Sequence, residues 1–250
     1  MDNTFILELK KRDKTNINYI YRTLKIISIF IDNINKLFKD QVLDESADGF
    51  LIDNMITIEA AINIYHLLHQ VILLKIPGDV VELGCFKGTT SILIQKTLDQ
   101  FNCDKELHVY DSFKGLPKKS KEDLSFSQGF LKTQKESLID NFKNYNVKLP
   151  KIHEGWFKDT LPSELPKKIC FAHLDGDFYS STKESLLYVY SNLSKGAIVV
   201  IDDYCDTNLL KVKDSFPGVK KACDEFFKDK KEKMNVLIAG SKQHGYFTKE

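Results

Sequence analysis

Two stretches near the start of the chain carry apolar residues at intervals of three and four positions. The first runs from about Ile17 to Phe38, and the second runs from Met55 to Leu74 and is followed by Pro77 and Gly78. This spacing puts the apolar side chains on one face of a helix, and that face must be buried against another element. The pattern therefore predicts an N-terminal helical cap over residues 1–75, which would cover a site or form a contact between copies of the chain.

After residue 78 the pattern changes, because short apolar or β-branched runs now alternate with helical periodicity. The predicted strands are Asp79–Gly84, Leu107–Asp111, Lys151–Glu154, Ile169–Leu174 and Gly196–Ile201. The predicted helices are Thr89–Leu98, Lys135–Tyr145, Ser180–Leu193 and Gly218–Lys228. A lysine-rich stretch between the second strand and its helix, residues 118–135, is predicted to be a mobile loop or lid.

The chain ends on two short strand patterns, Met234–Ala239 and His244–Thr248, joined by the four residues 240–243. A connection of that length is typical of an antiparallel hairpin. Alternating strands and helices that finish on a hairpin predict an α/β sandwich with a mostly parallel sheet. We expect residues 76–250 to form this single domain.

Composition narrows the function without identifying it. The 250 residues carry 36 Lys plus Arg and 35 Asp plus Glu, and a net charge of +1 gives no global attraction for nucleic acid. The five cysteines form no C-x-x-C pair and are expected to be free thiols, as in a cytoplasmic protein. We see neither a secretory signal nor a membrane span, so the expected partner is a small molecule.

Carboxylates follow two of the predicted strands at the point where each strand ends. Asp175 and Asp177 come after the run ending at Leu174, and Asp202 and Asp203 come after Ile201. Neighbouring parallel strands lie about 4.8 Å apart and present their carboxyl ends at the same edge of the sheet, so the four acids can share one ion. An all-carboxylate cluster favours Mg²⁺, Mn²⁺ or Ca²⁺ over Zn²⁺.

A glycine-containing turn follows the first strand of the α/β region. Gly84 and Gly88 lie between that strand and a helix N-terminus, an arrangement that lets the backbone approach a ligand closely. The next strand ends on Asp111, and an acid there commonly accepts hydrogen bonds from ribose hydroxyls. These features predict a nucleotide-type ligand beside the acidic cluster.

Five segments together resemble the class I S-adenosylmethionine-dependent methyltransferases, and among them the macrocin-type and noviose-type sugar O-methyltransferases. The segments are Val80–Gly88, Tyr110–Pro117, Gly155–Pro162, Leu174–Thr182 and Ile201–Tyr204. The resemblance implies a Rossmann-like class I methyltransferase sandwich, with a mostly parallel seven-stranded sheet and a C-terminal antiparallel hairpin. It covers the chain from about Met55 to the C-terminus.

The resemblance also implies a role for each matching residue. The residues implied in binding S-adenosylmethionine are Glu82, Gly84, Gly88, Asp111, Ser112, Phe113 and Trp156. The residues implied as ligands of Mg²⁺ are Asp175, Asp202 and Asp203, and the implied general base is Asp177. We also expect Gly176 to let the backbone turn sharply between the two acids that flank it.

These observations favour a metal-dependent O-methyltransferase that acts on a sugar hydroxyl, in a glycoside or on a nucleotide-linked sugar. An alcohol is a poor nucleophile until it loses its proton, and a bound cation together with a carboxylate base assists that loss. The same chemistry on a catechol-like diol is an alternative, and so is a scaffold domain that binds a nucleotide without catalysis. For the aspartates themselves, helix capping and solvated strand ends are the alternative interpretation.

Overall fold

A computed structural model describes residues 50–51, 55–209, 214–240 and 242–250. The chain divides into two compact units, residues 1–52 and residues 53–250. Within the first unit the described residues form the short strand β1, Phe50–Leu51. The helix predicted at Ile17–Phe38 lies outside the described residues, as does most of the predicted cap over residues 1–75.

The second unit contains the α/β pattern that the sequence predicts. Its strands are β2 (Ile56–Thr57), β3 (Asp79–Leu83), β4 (Leu107–Asp111), β5 (Lys151–Glu154), β6 (Ile169–Leu174), β7 (Leu193–Ile201), β8 (Asn235–Ala239) and β9 (Lys242–Thr248). Its helices are α1 (Ile58–Leu73), α2 (Thr89–Gln100), α3 (Lys135–Asn144), α4 (Phe157–Glu164), α5 (Tyr179–Asn192) and α6 (Pro217–Phe227).

Within the described residues, seven strands form one sheet in the order β5-β4-β3-β6-β7-β9-β8. The five strands from β3 to β7 run parallel, and β9 runs antiparallel to both β7 and β8. The predicted fold class, a mostly parallel sheet with a C-terminal antiparallel hairpin, is therefore confirmed. This order reverses direction between β3 and β6, and ligands of such sheets bind at the carboxyl ends of the strands near that reversal.

The middle strands of the sheet are buried on both faces, which explains their nearly continuous apolar sequence. All six residues of β6 are buried, and five consecutive buried residues end β7. Both strands then stop at aspartates, because the next residues leave the apolar layer. The sheet thus delivers acidic side chains to one edge and keeps its core apolar.

Helix α1 corresponds to the predicted helix Met55–Leu74 and packs against α2 and the β7–β8 part of the sheet. Thr57 caps it, since its hydroxyl accepts a hydrogen bond from the amide of Ala60 at 3.1 Å. The two-unit division groups α1 with the sheet, whereas the sequence assigned residues 1–75 to the cap.

One helix was not predicted from the sequence. Residues 157–164 form α4, although Pro162 lies inside it and the sequence suggested only a turn and an irregular segment. A proline in a helix removes one hydrogen bond. The buried side chains of Thr160 and Leu161 anchor this short helix to the core.

Two expectations about the chain as a whole can be compared with the structure. None of the described helices has both the length and the apolar character needed to cross a membrane. All five cysteines are described and free, as the sequence predicted.

Candidate active site

A cavity of about 810 Å³ lies at the carboxyl ends of the parallel strands. This volume is at the upper end of the range typical of small-molecule sites. The loops after β3, β4, β6 and β7 all contribute to its lining, together with the start of β9. One cavity therefore joins the predicted nucleotide site to the acidic cluster.

The ends of β3 and β6 touch at Gly84. The amide of Asp175 donates to the carbonyl oxygen of Leu83 at 2.8 Å, and a Cβ atom at Gly84 would overlap the carbonyl oxygen of Asp175. Gly84 also has φ of 91°, which side-chain-bearing residues rarely adopt. Glycine is thus required at position 84 for two reasons, the close contact and the positive φ. The close contact brings the turn after β3 directly against Asp175, the first acid of the cluster.

Asp111 at the end of β4 connects two loops that line the cavity. One carboxylate oxygen accepts a hydrogen bond from the amide of Phe86 at 2.8 Å, and the other accepts one from the amide of Phe113 at 2.7 Å. Burial raises the pKa of Asp111, and these amide donors oppose the rise. Each carboxylate oxygen retains a second lone pair, which suits the hydroxyl groups of a ribose.

Glu82 is buried in β3 and holds a histidine on the neighbouring strand. Its carboxylate lies 3.0 Å from Nδ1 of His173, and the hydroxyl of Ser91 donates to its other oxygen. Burial alone would lower the pKa of His173, but the hydrogen bond and charge of Glu82 raise it above its ordinary value. The β3–β6 register places His173 directly beside Glu82.

The residues predicted to bind the cofactor fall into two groups. Those that line the cavity are Glu82, Gly84, Asp111, Ser112 and Trp156. Gly88 and Phe113 are not part of its lining: Gly88 precedes α2 with φ of 86° against α3, and Phe113 is buried with φ of 54°. Their assignment to the cofactor remains a prediction.

The acidic cluster brings together side chains from two strand ends. Within the described residues, Asp175, Asp177 and Asp203 each place a carboxylate oxygen within 4.8 Å of the others. Asp202 lines the same cavity, but its Oδ1 lies 2.7 Å from Nε2 of His244. The two strand ends thus converge as the sequence predicted, and one of the four carboxylates, that of Asp202, contacts a histidine.

Two acids of the cluster have left-handed backbone conformations. Asp177 has φ of 57° and Asp203 has φ of 54°, a region that aspartate occupies more readily than most residues. The positive φ in this segment falls on Asp177 and not on Gly176. Gly176 is needed for space instead, since a Cβ atom there would lie 2.8 Å from Cβ of Ser181.

The mutual repulsion of the carboxylates appears in their pKa values. Burial, followed by the charge of Asp202, raises the pKa of Asp175 well above its ordinary value. Burial and then the charge of Asp203 do the same for Asp177, and a side-chain hydrogen bond with Asp203 adds to the rise. Burial and the charge of Asp202 raise the pKa of Asp203 to about 6. Among the described residues, the positive charge around the cluster therefore does not balance its acids.

Strand β9 supplies a lysine and a histidine to the cluster, and the sequence did not identify either as functional. Nζ of Lys242 lies 3.3 Å from Oδ1 of Asp203, and His244 contacts Asp202. Burial alone would raise the pKa of Asp202, but the charge and hydrogen bond of His244 lower it below its ordinary value. The hairpin itself was the available signal, because an antiparallel β9 must begin where β7 ends.

The loop predicted as a lid provides an aromatic wall of the cavity. Phe126 and Phe130 stack with their ring centroids 4.4 Å apart, and Phe126 also stacks on Phe216 at 5.4 Å. The side chains of Phe126 and Phe130 remain 42% and 45% exposed. This wall faces the same space as the acidic cluster, so it is available to an acceptor molecule with an apolar surface.

The donor groups fit the two small ligands that the resemblance implies. Carboxylate oxygens within 4.8 Å of one another, with raised pKa values, form the kind of site that a hard divalent cation neutralises. The acceptor oxygens of Asp111 and the close backbone approach at Gly84 fit the nucleoside part of S-adenosylmethionine.

Comparison with known proteins identifies the family. Residues 41–236 match the family described as macrocin O-methyltransferase (TylF). The chain is similar to demethyldecarbamoylnovobiocin O-methyltransferase of Streptomyces niveus, with 30% identity over 201 residues, covering 76% of this chain and 73% of that protein. It is also similar to 8-demethyl-8-(2,3-dimethoxy-alpha-L-rhamnosyl)-tetracenomycin-C 4'-O-methyltransferase of Streptomyces olivaceus, with 29% identity, covering 79% and 78%.

A solved structure agrees with the sequence relationship. The O-methyltransferase NovP superposes with a TM-score of 0.67 at 28% sequence identity, covering 78% of this chain and 81% of that one. The sheet order, the cavity at its carboxyl edge and the match over residues 41–236 agree with one another. This chain therefore belongs to the macrocin O-methyltransferase family and is an S-adenosylmethionine-dependent O-methyltransferase.

Proposed function

We propose that this enzyme transfers the methyl group of S-adenosylmethionine to a hydroxyl group of a sugar and that it needs a divalent cation, Mg²⁺, to do so. The observation that carries the proposal is the convergence of four carboxylates from two strand ends in the cavity that Asp111 and Gly84 also line. The rhamnosyl group in the name of the Streptomyces olivaceus relative supports a sugar as the acceptor.

The residues of this chain divide the work between binding and proton transfer. Asp111 would accept hydrogen bonds from the ribose hydroxyls, and the turn at Gly84 would let the cofactor lie close to the backbone. Asp202 and Asp203, with one carboxylate of the Asp175-Gly176-Asp177 segment, would hold the cation. When bound, Mg²⁺ would fix the acceptor oxygen and lower the pKa of its hydroxyl.

The remaining carboxylate takes the proton from the acceptor hydroxyl as the reaction proceeds. The hydroxyl oxygen forms a bond to the methyl carbon while the bond from that carbon to sulfur breaks, which leaves S-adenosylhomocysteine and a methyl ether. The proton stays on the carboxylate until solvent removes it. Most of the catalysis on this account comes from aligning the two substrates and from removing the proton at the right moment.

Two assignments of the base are supported by different observations. The family resemblance assigns the cation to Asp175 and the base to Asp177. The closeness of Asp177 to Asp203 fits the reverse as well, in which Asp177 binds the cation and Asp175, beside Gly84, removes the proton. The paired variants described in the Discussion distinguish the two assignments.

Mass spectrometry of candidate acceptors tests the proposal directly. The enzyme is incubated with S-adenosylmethionine, Mg²⁺ and separate pools of glycosides, nucleotide-linked sugars and catechols. We expect a gain of one methyl group on a sugar hydroxyl. Methylation of catechols alone would overturn the sugar assignment.

A further inference from the structure

A second group of side chains that can ligate a metal lies at the amino ends of the strands, opposite the active site. Asp79 begins β3, and Glu106 and His108 lie on either side of the first residue of β4. Their ligand atoms all lie within 4.8 Å of one another. The active-site acids, in contrast, follow the carboxyl ends of β6 and β7.

The β3–β4 register explains why these side chains meet. Val81 pairs with His108, and the amide of Val80 donates to the carbonyl oxygen of Glu106 at 2.9 Å. Because side chains alternate between the faces of a sheet, Asp79 lies on the same face as Val81, and Glu106 lies on the same face as His108. The amide of Glu106 also donates to Oδ1 of Asp79 at 3.1 Å, which fixes the start of β3 against the start of β4.

His108 provides an observation that is independent of the acids. Its side chain is only 7% exposed, and Nδ1 lies 3.0 Å from Nε2 of His153. Its other ring nitrogen, Nε2, is buried and makes no hydrogen bond to any described residue. A buried polar atom without a hydrogen-bond partner lowers the stability of the folded state by about 1–3 kcal/mol, and a bound ligand at this nitrogen would remove that penalty. Since Nδ1 is already engaged by His153, Nε2 is the ring nitrogen that remains free to bind a ligand.

We propose that Asp79, Glu106 and His108 bind a divalent cation of the zinc type, in a structural site that joins the starts of β3 and β4. Two carboxylates and one imidazole are a mixed oxygen and nitrogen set, which suits Zn²⁺ and its first-row neighbours better than Mg²⁺. Water would complete the coordination. The site is separate from the methyl-transfer reaction, so it stands or falls independently of the proposed function.

A lysine already pairs with one of the three proposed ligands. Nζ of Lys151 lies 2.5 Å from Oε2 of Glu106, and the lysine side chain is 54% exposed. An exposed ion pair of this kind contributes little to stability, so a divalent ion can displace it. The geometry therefore makes a further prediction: Lys151→Met should strengthen cation binding, because it removes the competitor and leaves all three ligands.

The test uses the full-length protein with excess Mg²⁺, so that the catalytic carboxylates are occupied while Zn²⁺ is added. Imidazole ¹⁵N resonances are recorded during the titration, and His108 is assigned through the variant His108→Leu. We expect the Nε2 signal of His108 to shift on addition of Zn²⁺. At about a hundredfold excess over the dissociation constant, the melting temperature should rise by roughly 5 °C or more.

Two surface variants keep the test independent of folding. Glu106→Gln should weaken Zn²⁺ binding at least about tenfold and remove most of the thermal shift. The matched control is Glu154→Gln. It changes an exposed glutamate at the end of β5 that pairs with Lys135, and it should leave both readouts unchanged. A His108 resonance that does not respond to Zn²⁺, or a thermal shift of the same size in Glu106→Gln, would overturn the site.

Discussion

Nε2 of His244 lies 2.7 Å from Oδ1 of Asp202, so a residue of β9 orients a carboxylate that follows β7. Both groups are largely buried, and the antiparallel pairing of β7 with β9 fixes their positions. Under the proposed function Asp202 is a ligand of the cation, and a group that orients a metal ligand typically contributes about 10–100-fold to metal affinity. The C-terminal hairpin is therefore part of the active site, and completing the sheet is only one of its roles.

The first prediction concerns the cation requirement and this histidine. EDTA should abolish methyl transfer and added Mg²⁺ should restore it. In His244→Phe the concentration of Mg²⁺ that gives half-maximal activity should rise about tenfold, because Asp202 loses the group that orients it. The dissociation constant for S-adenosylmethionine, measured by calorimetry, should stay the same.

Two comparisons make this result specific. His244→Asn retains a donor for Asp202 and should need less additional Mg²⁺ than the phenylalanine variant. Lys183→Met changes a lysine that pairs with Glu225 away from the cavity and should behave as the unmodified enzyme does. Full activity in the presence of chelator would sink the cation assignment.

The second prediction separates the roles of Asp175 and Asp177. Asparagine keeps the size of the side chain but can neither remove a proton nor supply a full negative charge. At the position of the base it should lower turnover by about 10²–10⁴-fold while the affinity for Mg²⁺ changes little. At the position of the metal ligand it should first raise the Mg²⁺ requirement, and excess Mg²⁺ should restore part of the activity.

Kinetics at varied Mg²⁺ on Asp175→Asn and Asp177→Asn shows which pattern belongs to which residue. Asp177 as the base would support the assignment taken from the family resemblance. Asp175 as the base would support the reverse assignment, in which Asp177 and Asp203 hold the cation. If both variants lost turnover and Mg²⁺ affinity equally, the division of labour itself would be wrong.

The sequence predicted the framework of this site because strand ends are easy to locate in it. Strand β6 and the last five residues of β7 read as nearly continuous apolar runs, so the acids that follow them were expected to meet at the carboxyl ends of the strands. It could not predict which carboxylates face one another, since that depends on backbone conformations such as the positive φ at Asp177 and Asp203. Only the structure showed that Asp202 turns toward His244.

Contacts that depend on strand register were also beyond the sequence. Glu82 and His173 are 91 positions apart, and they meet only because β3 lies beside β6. Helix α4 was missed for a different reason, since the local preference of Pro162 opposed a helix that burial of Leu161 stabilises. Tertiary packing decided both cases.

The third prediction compares two glycines that share a left-handed conformation. Gly84→Ala should destabilise the protein by at least about 3 kcal/mol, because the new methyl group overlaps the carbonyl oxygen of Asp175 in addition to the backbone strain. Gly129 has φ of 83°, but beyond its chain neighbours no atom of the described residues lies within 4 Å of a Cβ built there, so Gly129→Ala should cost only about 1–2 kcal/mol.

Chemical denaturation of both variants checks this comparison, and cofactor affinity gives a second readout. If Gly84→Ala folds, its affinity for S-adenosylmethionine should fall because the turn after β3 has moved. Equal losses of stability in the two variants would mean that backbone strain, and not contact with Asp175, explains the glycine at position 84.

The last prediction concerns stability in acid, at a buried ion pair remote from the cavity. Nζ of Lys249 lies 2.6 Å from Oε1 of Glu232, and the hydroxyl of Tyr190 lies 2.9 Å from each of the two carboxylate oxygens. Burial alone would raise the pKa of Glu232, but the hydrogen bonds from Lys249 and Tyr190 lower it to about 2. The carboxylate is thus ionised more easily in the folded protein than in the unfolded chain, where its value is 4.5.

A carboxylate whose pKa is depressed by folding stabilises the protein above its unfolded pKa and loses that contribution as the pH falls toward its folded pKa. Glu232→Gln should therefore cost roughly 2 kcal/mol at pH 6, and the cost should shrink by more than half at pH 3. Urea unfolding of both proteins at the two pH values measures this difference. Asp224→Asn, which removes an exposed pair with Lys220, should cost well under about 1 kcal/mol at both pH values. A cost for Glu232→Gln that did not change with pH would show that the glutamate acts through packing rather than through its charge.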